Sequence, residues 1–263
     1  MGSSFYPENI RKLNFEGTAI VNFPCLTNTK SIGYLSLSKT PICEFSQINT
    51  ISEIEYLELE HCPNIVDFNG FENVTKINQF SIHNCASLRS FKGFENVIMT
   101  TNRLDLTECP SIENIEHLPV VDWNYITLYT EKLPIPNPNL SLTELRAPLL
   151  KSLKGLGTYQ KVSSLTLVYG YYQGKHPLSD FSHLQEHKAL KRIKISSDMP
   201  ISLGIFNAFE HLEILNLVGS KNLLDPKDLK DVAIDKLYIA DCNLKKADFP
   251  DYLQNNIDWQ SKP

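Results

Sequence analysis

Residues 57–74 read LELEHCPNIVDFNGFENV and residues 80–97 read FSIHNCASLRSFKGFENV. The second stretch starts 23 residues after the first and repeats a cysteine, a GFENV tail and a nearby histidine. Two chemistries fit such a pair: a Cys/His metal cassette or an architectural repeat. The histidines decide between them. His61 directly precedes its cysteine, His83 lies two residues before Cys85, and Glu108 stands where a third histidine would be, before Cys109. Metal ligands must converge at fixed positions, and these do not keep register. The cysteines read instead as small, weakly polar fillers of a buried bend.

The same period extends along the chain. Apolar anchors at Phe15, Leu37, Leu59, Ile82, Leu106, Leu128, Ala147, Leu167, Ile195, Leu217 and Ile239 recur every 19 to 28 residues, the range of stacked repeat units. Two finer periods are nested in each copy. Alternation in Leu57-x-Leu59, Phe80-x-Ile82, Leu104-x-Leu106 and Leu237-x-Ile239 predicts a short strand with one buried face. Apolar residues three apart, such as Ile65, Phe68 and Phe71, predict a 3-10 or short helical return over the same core.

These copies resemble the leucine-rich repeat family, whose pattern is L-x-x-L-x-L-x-x-N/C-x-L. Ile54-x-x-Leu57-x-Leu59-x-x-Cys62 matches it, as do the copies ending at Cys85, Cys109 and Cys242. The resemblance is strong over 54–118 and 212–244, and weaker elsewhere: Pro148 interrupts one repeat and 131–141 is proline-rich. The resemblance implies an α/β fold, a solenoid of about 10–11 repeats. A curved parallel sheet would form its concave face and short 3-10, helical or irregular segments its convex face. It implies one domain over 1–263, with an N-terminal cap at 1–12, repeats at 13–244 and a C-terminal cap at 245–263, because a solenoid exposes apolar ends. Phe249, Leu253, Ile257 and Trp259 are the residues expected to cover the last turn.

Composition narrows the function classes. With 42% hydrophobic and 21% charged residues the chain reads as globular. Its formal charge of −5, without basic blocks, argues against nucleic acid. No stretch of about 18 apolar residues predicts a membrane span, and no export signal precedes the first strand. A cytoplasmic protein is expected, or one delivered to a host cell without a cleavable signal, and a monomer. Six cysteines without a C-x-x-C pair read as reduced thiols. No phosphate-loop, dinucleotide or hydrolase-elbow string occurs, so no cofactor is expected.

One string carries enzymatic chemistry. His183-Leu184-Gln185-Glu186-His187 fits H-x-x-E-H, in which two histidines one helical turn apart hold zinc and the glutamate acts as base. The competing reading makes 177–190 a longer convex helix, with Leu178, Phe181 and Leu184 inward and both histidines in water.

A binding surface is the favoured expectation. Residues between and after the alternating leucines face out of the strand, which selects Glu58, Glu60, His83 and Asp105, then Tyr129, Arg146 and Lys194; Tyr125 joins them because it falls close to Tyr129 in the same ladder. The 168–177 insertion adds Tyr169, Tyr171 and Tyr172, since tyrosine and arginine are enriched at binding hot spots and inserted loops carry function. The expected activity is recognition of a protein partner on the concave face, without catalysis, as in a microbial effector, an inhibitor or an immunity-type binder. The alternatives are a scaffold linking several chains, or a zinc hydrolase using His183, Glu186 and His187.

Overall fold

The computed structural model describes residues 6–168, 178 and 180–259. The chain divides into two compact units, Met1–Tyr129 with Pro134–Ser141, and Thr130–Leu133 with Leu142–Pro263. Tyr169, Tyr171 and Tyr172 lie outside the described residues.

The first unit holds β1 (Asn9–Asn14), β2 (Ser31–Ser36), β3 (Glu53–Glu60), β4 (Lys76–His83), β5 (Ile98–Met99), β6 (Arg103–Leu106), β7 (Asn114–Ile115), β8 (Asp122–Leu128) and β9 (Ile135–Pro136). Strands β1 to β5 form a sheet in chain order, all parallel. β6 pairs with β8, and β7 with β9, also in parallel. Strand β1 begins at Asn9 and pairs with β2, so sheet structure starts inside the stretch expected to be a cap. Like stacks on like: Ile32, Ile54 and Ile77 form one inward row, and Leu35, Leu57 and Phe80 the next. Parallel strands need a crossover between them. Here the crossover is a bend and a return whose apolar residues three apart, Phe68, Phe71 and Val74, are fully buried and linked by i→i+3 backbone bonds.

The second unit holds β10 (Ser141–Arg146) but for its first residue, then β11 (Ser164–Val168), β12 (Arg192–Ser196), β13 (Ile201–Ser202), β14 (His211–Asn216), β15 (Leu223–Leu224), β16 (Ala233–Ile239) and β17 (Ile257–Trp259). Strands β10, β11, β12, β14, β16 and β17 lie side by side in parallel, and β13 pairs with β15. Phe249, Leu253 and Ile257 are buried beside the last strands. Among the described residues one four-residue α-helix occurs, Asp251–Gln254; the other helical segments are short 3-10 turns. Among the described residues no sheet closes into a barrel, and no helix is long and apolar enough to cross a membrane.

The bend after β2, β3, β4, β6 and β16 uses one device. Its first residue is left-handed, with φ of 57° at Lys39, 54° at His61, 52° at Asn84, 56° at Glu108 and 51° at Asp241. A small polar residue follows and turns inward. The Cys62 thiol donates to the Leu37 carbonyl at 3.1 Å and the Cys85 thiol to Leu59 at 3.4 Å; in the second unit the Ser220 hydroxyl donates to Ile195 at 3.1 Å. His61 is therefore a turn residue, needed for its backbone conformation. An L-residue pays about 1–2 kcal/mol in this region, where glycine is free. Glu108→Gly is expected to stabilise the protein by about 0.5 kcal/mol, the gain being cut by glycine's larger unfolded-state entropy. A urea midpoint below that of the wild type would contradict this.

The GFENV tail is equally structural. Gly70 and Gly93 have φ of 109° and 103°, and their amides donate to the carboxylates of Glu72 and Glu95 two residues on. Asn73 and Asn96 donate side-chain N–H bonds to the carbonyls of Asn49 and Glu72, one repeat back, at 2.9 Å each.

Candidate functional site

With bends and returns absorbed by folding, the chemistry left over lies on the strand faces turned away from the core. In the first unit the register aligns Lys12, Tyr34, Tyr56 and Gln79 in one outward row, and Ser36, Glu58 and Ser81 in the next. Glu60 stands opposite His83. Asp105 stands opposite Thr127, and Arg103 opposite Tyr125. The Asn84 amide donates to the Thr107 carbonyl at 3.0 Å, which carries the same face from β4 to the end of β6.

Two tyrosines absent from the expected set form the centre of this face. The rings of Tyr34 and Tyr56 lie 5.4 Å apart at 52°, and the Lys12 ammonium sits 4.9 Å from the Tyr34 ring centre. The Tyr34 hydroxyl donates to Glu58 Oε2 at 2.7 Å. That bond, with partial burial, raises the phenol's pKa above its ordinary value. The signal was available: GYLSLS and EYLELE place a tyrosine before the first alternating leucine in two copies 22 residues apart. In I-x-x-L both intervening residues face outward, so taking only the positions between and after the leucines passes over this row.

Strand β3 concentrates charge. Its sequence EIEYLELE buries Ile54, Leu57 and Leu59 and turns Glu53, Glu55, Tyr56, Glu58 and Glu60 outward. Among the described residues none of these four glutamates is in an ion pair. Glu58 and Glu60 are half-buried, Glu53 and Glu55 exposed. Asp105 is exposed and accepts from the Thr107 amide at 3.0 Å. Ser36, Ser38 and Thr127 on these strands are buried; the Ser38 hydroxyl accepts from the Glu60 amide at 3.0 Å. Tyr125 and Tyr129 are half-buried, with the Arg103 guanidinium 5.8 Å from the Tyr125 ring centre.

In the second unit Arg146, Thr166, Lys194, Asn216 and Tyr238 form one outward row. Arg146 donates to Glu144 Oε2 at 2.8 Å, and Thr166 donates to Glu144 Oε1 at 2.7 Å. Burial opposes ionisation of Glu144, but these bonds and the charges of Arg146 and Lys194 bring its pKa below the usual carboxylate value. Lys194 is exposed.

The H-x-x-E-H residues do not share one face of an α-helix. Ser182–Glu186 is a 3-10 turn, and His187 follows it. The His187 ring is buried and its Nε2 donates to the Tyr159 carbonyl, whereas His183 Nδ1 lies 2.7 Å from Glu186 Oε1. The picture of both histidines in water on a longer helix is corrected at His187, whose ring satisfies a buried carbonyl. Among the described residues no group of three or more His, Cys, Asp and Glu side chains converges on a common point.

Cys62, Cys85 and Cys109 are fully buried, whereas Cys25 and Cys43 are exposed. Sharing a hydrogen bond with Cys109 pushes Cys85 up to about 12, and the same bond lowers Cys109. Contact with Cys85 and burial raise Cys62. No family model matches the sequence, and no curated protein matches it, which leaves these side chains to say what the chain does.

Proposed function

We propose that the chain is a leucine-rich-repeat solenoid that acts as a non-enzymatic protein-recognition module, with the outward strand face of the first unit as its concave binding surface. In support of the solenoid, parallel strands follow one another at the sequence period and the same left-handed bend closes successive copies. The observation that carries the function is the Tyr34–Tyr56 pair set among β3 glutamates that have no ion-pair partner among the described residues. Folding spends the cysteines, the glycines and the GFENV asparagines, but it has no evident use for aromatic and acidic side chains turned away from the core. Tyrosine gives large contact area with a polar tip, the composition of a binding hot spot, and regular repeat scaffolds suit extended binding surfaces.

The double variant Tyr34→Ser/Tyr56→Ser tests this. Wild type and variant, immobilised side by side, are exposed to source-cell lysate, and retained proteins are quantified. One stoichiometric partner held by the wild type and lost by the variant, with thermal midpoints within about 2 °C, is expected; surface changes of this kind usually cost less than about 0.5 kcal/mol. Equal retention by both proteins overturns the site. A broad set of sub-stoichiometric partners would favour the scaffold alternative.

A further inference from the structure

Strand β3 has an electrostatic problem that the chain does not solve internally. Glu53 stands beside Lys76 in the register, but Glu58 faces Ser36 and Ser81 and Glu60 faces His83, with no lysine or arginine opposite them on β2 or β4. Lys39, which feels the charge of Glu60 and Glu58, is itself bonded to Glu16 at 2.7 Å. Like charges along one strand repel, and Glu58 and Glu60 are already half-buried. A neutral partner closing over them would bury them without a counter-charge, at a cost of several kcal/mol.

Resting on the recognition role above, we infer that the partner presents a basic, extended segment to this face, its Lys or Arg side chains meeting the β3 glutamates and stacking on the Tyr34–Tyr56 pair. Strand geometry sets the match. At about 3.3 Å per residue, Glu58 and Glu60 stand about 6.6 Å apart and Glu53 to Glu60 spans about 23 Å. An extended segment has nearly the same repeat, so cationic side chains two residues apart reach successive carboxylates. The rings are already used in this way: Lys12 lies over Tyr34 and Arg103 over Tyr125, an attraction of about 0.5–2 kcal/mol each. At the start of β3 a recess of about 170 Å³ has Glu53, Glu55 and Asn78 in its lining against one ammonium, that of Lys76. Carboxylates and aromatic faces are a set that accepts hydrogen bonds and cations. An acidic segment or a nucleic acid would meet repulsion at every one of these carboxylates.

The test uses the full chain and a fluorescein-labelled peptide of nine residues alternating arginine and serine, with a glutamate–serine peptide as its opposite. Anisotropy is expected to show saturable one-to-one binding of the arginine peptide, weakened by added salt as screening requires, and none of the glutamate peptide. Glu58→Gln/Glu60→Gln should raise Kd about tenfold, which is about 1.4 kcal/mol. Glu113→Gln/Glu116→Gln removes the same charge from the return side and should leave Kd within about twofold. Equal weakening by both double variants, or equal binding of both peptides, overturns the inference by showing attraction without a site. If the arginine peptide fails to bind while Tyr34→Ser/Tyr56→Ser still abolishes partner capture, the basic-segment inference falls and the recognition role stands; if capture is also unaffected, both fall.

Discussion

Gly93→Ala is expected to destabilise the protein by about 4 kcal/mol or more, a loss of the size seen only when backbone strain or a core defect is forced on a fold. Two effects add. Gly93 has φ of 103°, outside the left-handed pocket that L-residues tolerate. A Cβ there would also lie 1.9 Å from the Phe68 carbonyl oxygen and 2.4 Å from its carbon. The obstacle is backbone of the previous repeat, held by Phe71 N–H donating to that same Phe68 oxygen at 3.0 Å, so no side chain can swing aside. Gly17 provides the control. Its φ is 70° and a methyl group at this position would meet nothing within 4 Å, so Gly17→Ala should cost only about 1 kcal/mol. Urea unfolding of both variants separates conformational strain from collision. Similar losses in the two would show that close approach of successive returns is not what demands glycine at 93.

The same contrast explains what could be read from the sequence. The inward residues were legible because burial imposes a period: Leu57, Leu59, Ile65, Phe68 and Phe71 announce themselves by spacing alone, and all are fully buried. The role of Cys62 followed because a repeated small residue at a fixed offset from a strand is a packing signature. Backbone conformation leaves a fainter trace. His61, Asn84 and Glu108 share a left-handed φ but no side-chain chemistry, so no common residue type marks the bend. The asparagine of GFENV was visible as a repeated letter, but its partner is a carbonyl one repeat away, which only the register reveals. Tyr34 and Tyr56 were missed for a simpler reason: strict alternation fails at I-x-x-L, where two consecutive residues face outward. At His187 the polar letter suggested water, whereas a buried carbonyl supplies the ring with a partner. Sequence patterns thus report burial of apolar groups well and satisfaction of polar groups poorly.

Cys85→Asp carries the second large expected effect, a loss of about 4–5 kcal/mol at neutral pH, whereas Cys85→Ser and Cys85→Ala should each cost about 1–2 kcal/mol. The thiol is fully buried, donates to the Leu59 carbonyl at 3.4 Å and lies 3.6 Å from the His83 carbonyl. A hydroxyl can replace that donation, as Ser220 does toward Ile195 at 3.1 Å. A carboxylate cannot: it brings only acceptors to a site already rich in carbonyl oxygens, where burial penalises its charge. Its pKa in the folded state must therefore rise above the unfolded value of about 3.9. The folded state then binds the extra proton, so the penalty grows as pH rises between the unfolded and the folded pKa and is smallest below about pH 4. Guanidinium unfolding at pH 4.5 and pH 7.5 should show the gap between the Asp and Ser variants widening with pH. A gap that is constant or narrows would mean the bend admits solvent. Because His83, two residues earlier, faces outward on the proposed binding surface, Cys85→Ser should also keep partner capture intact, separating the thiols that build the bend from the side chains that meet the partner.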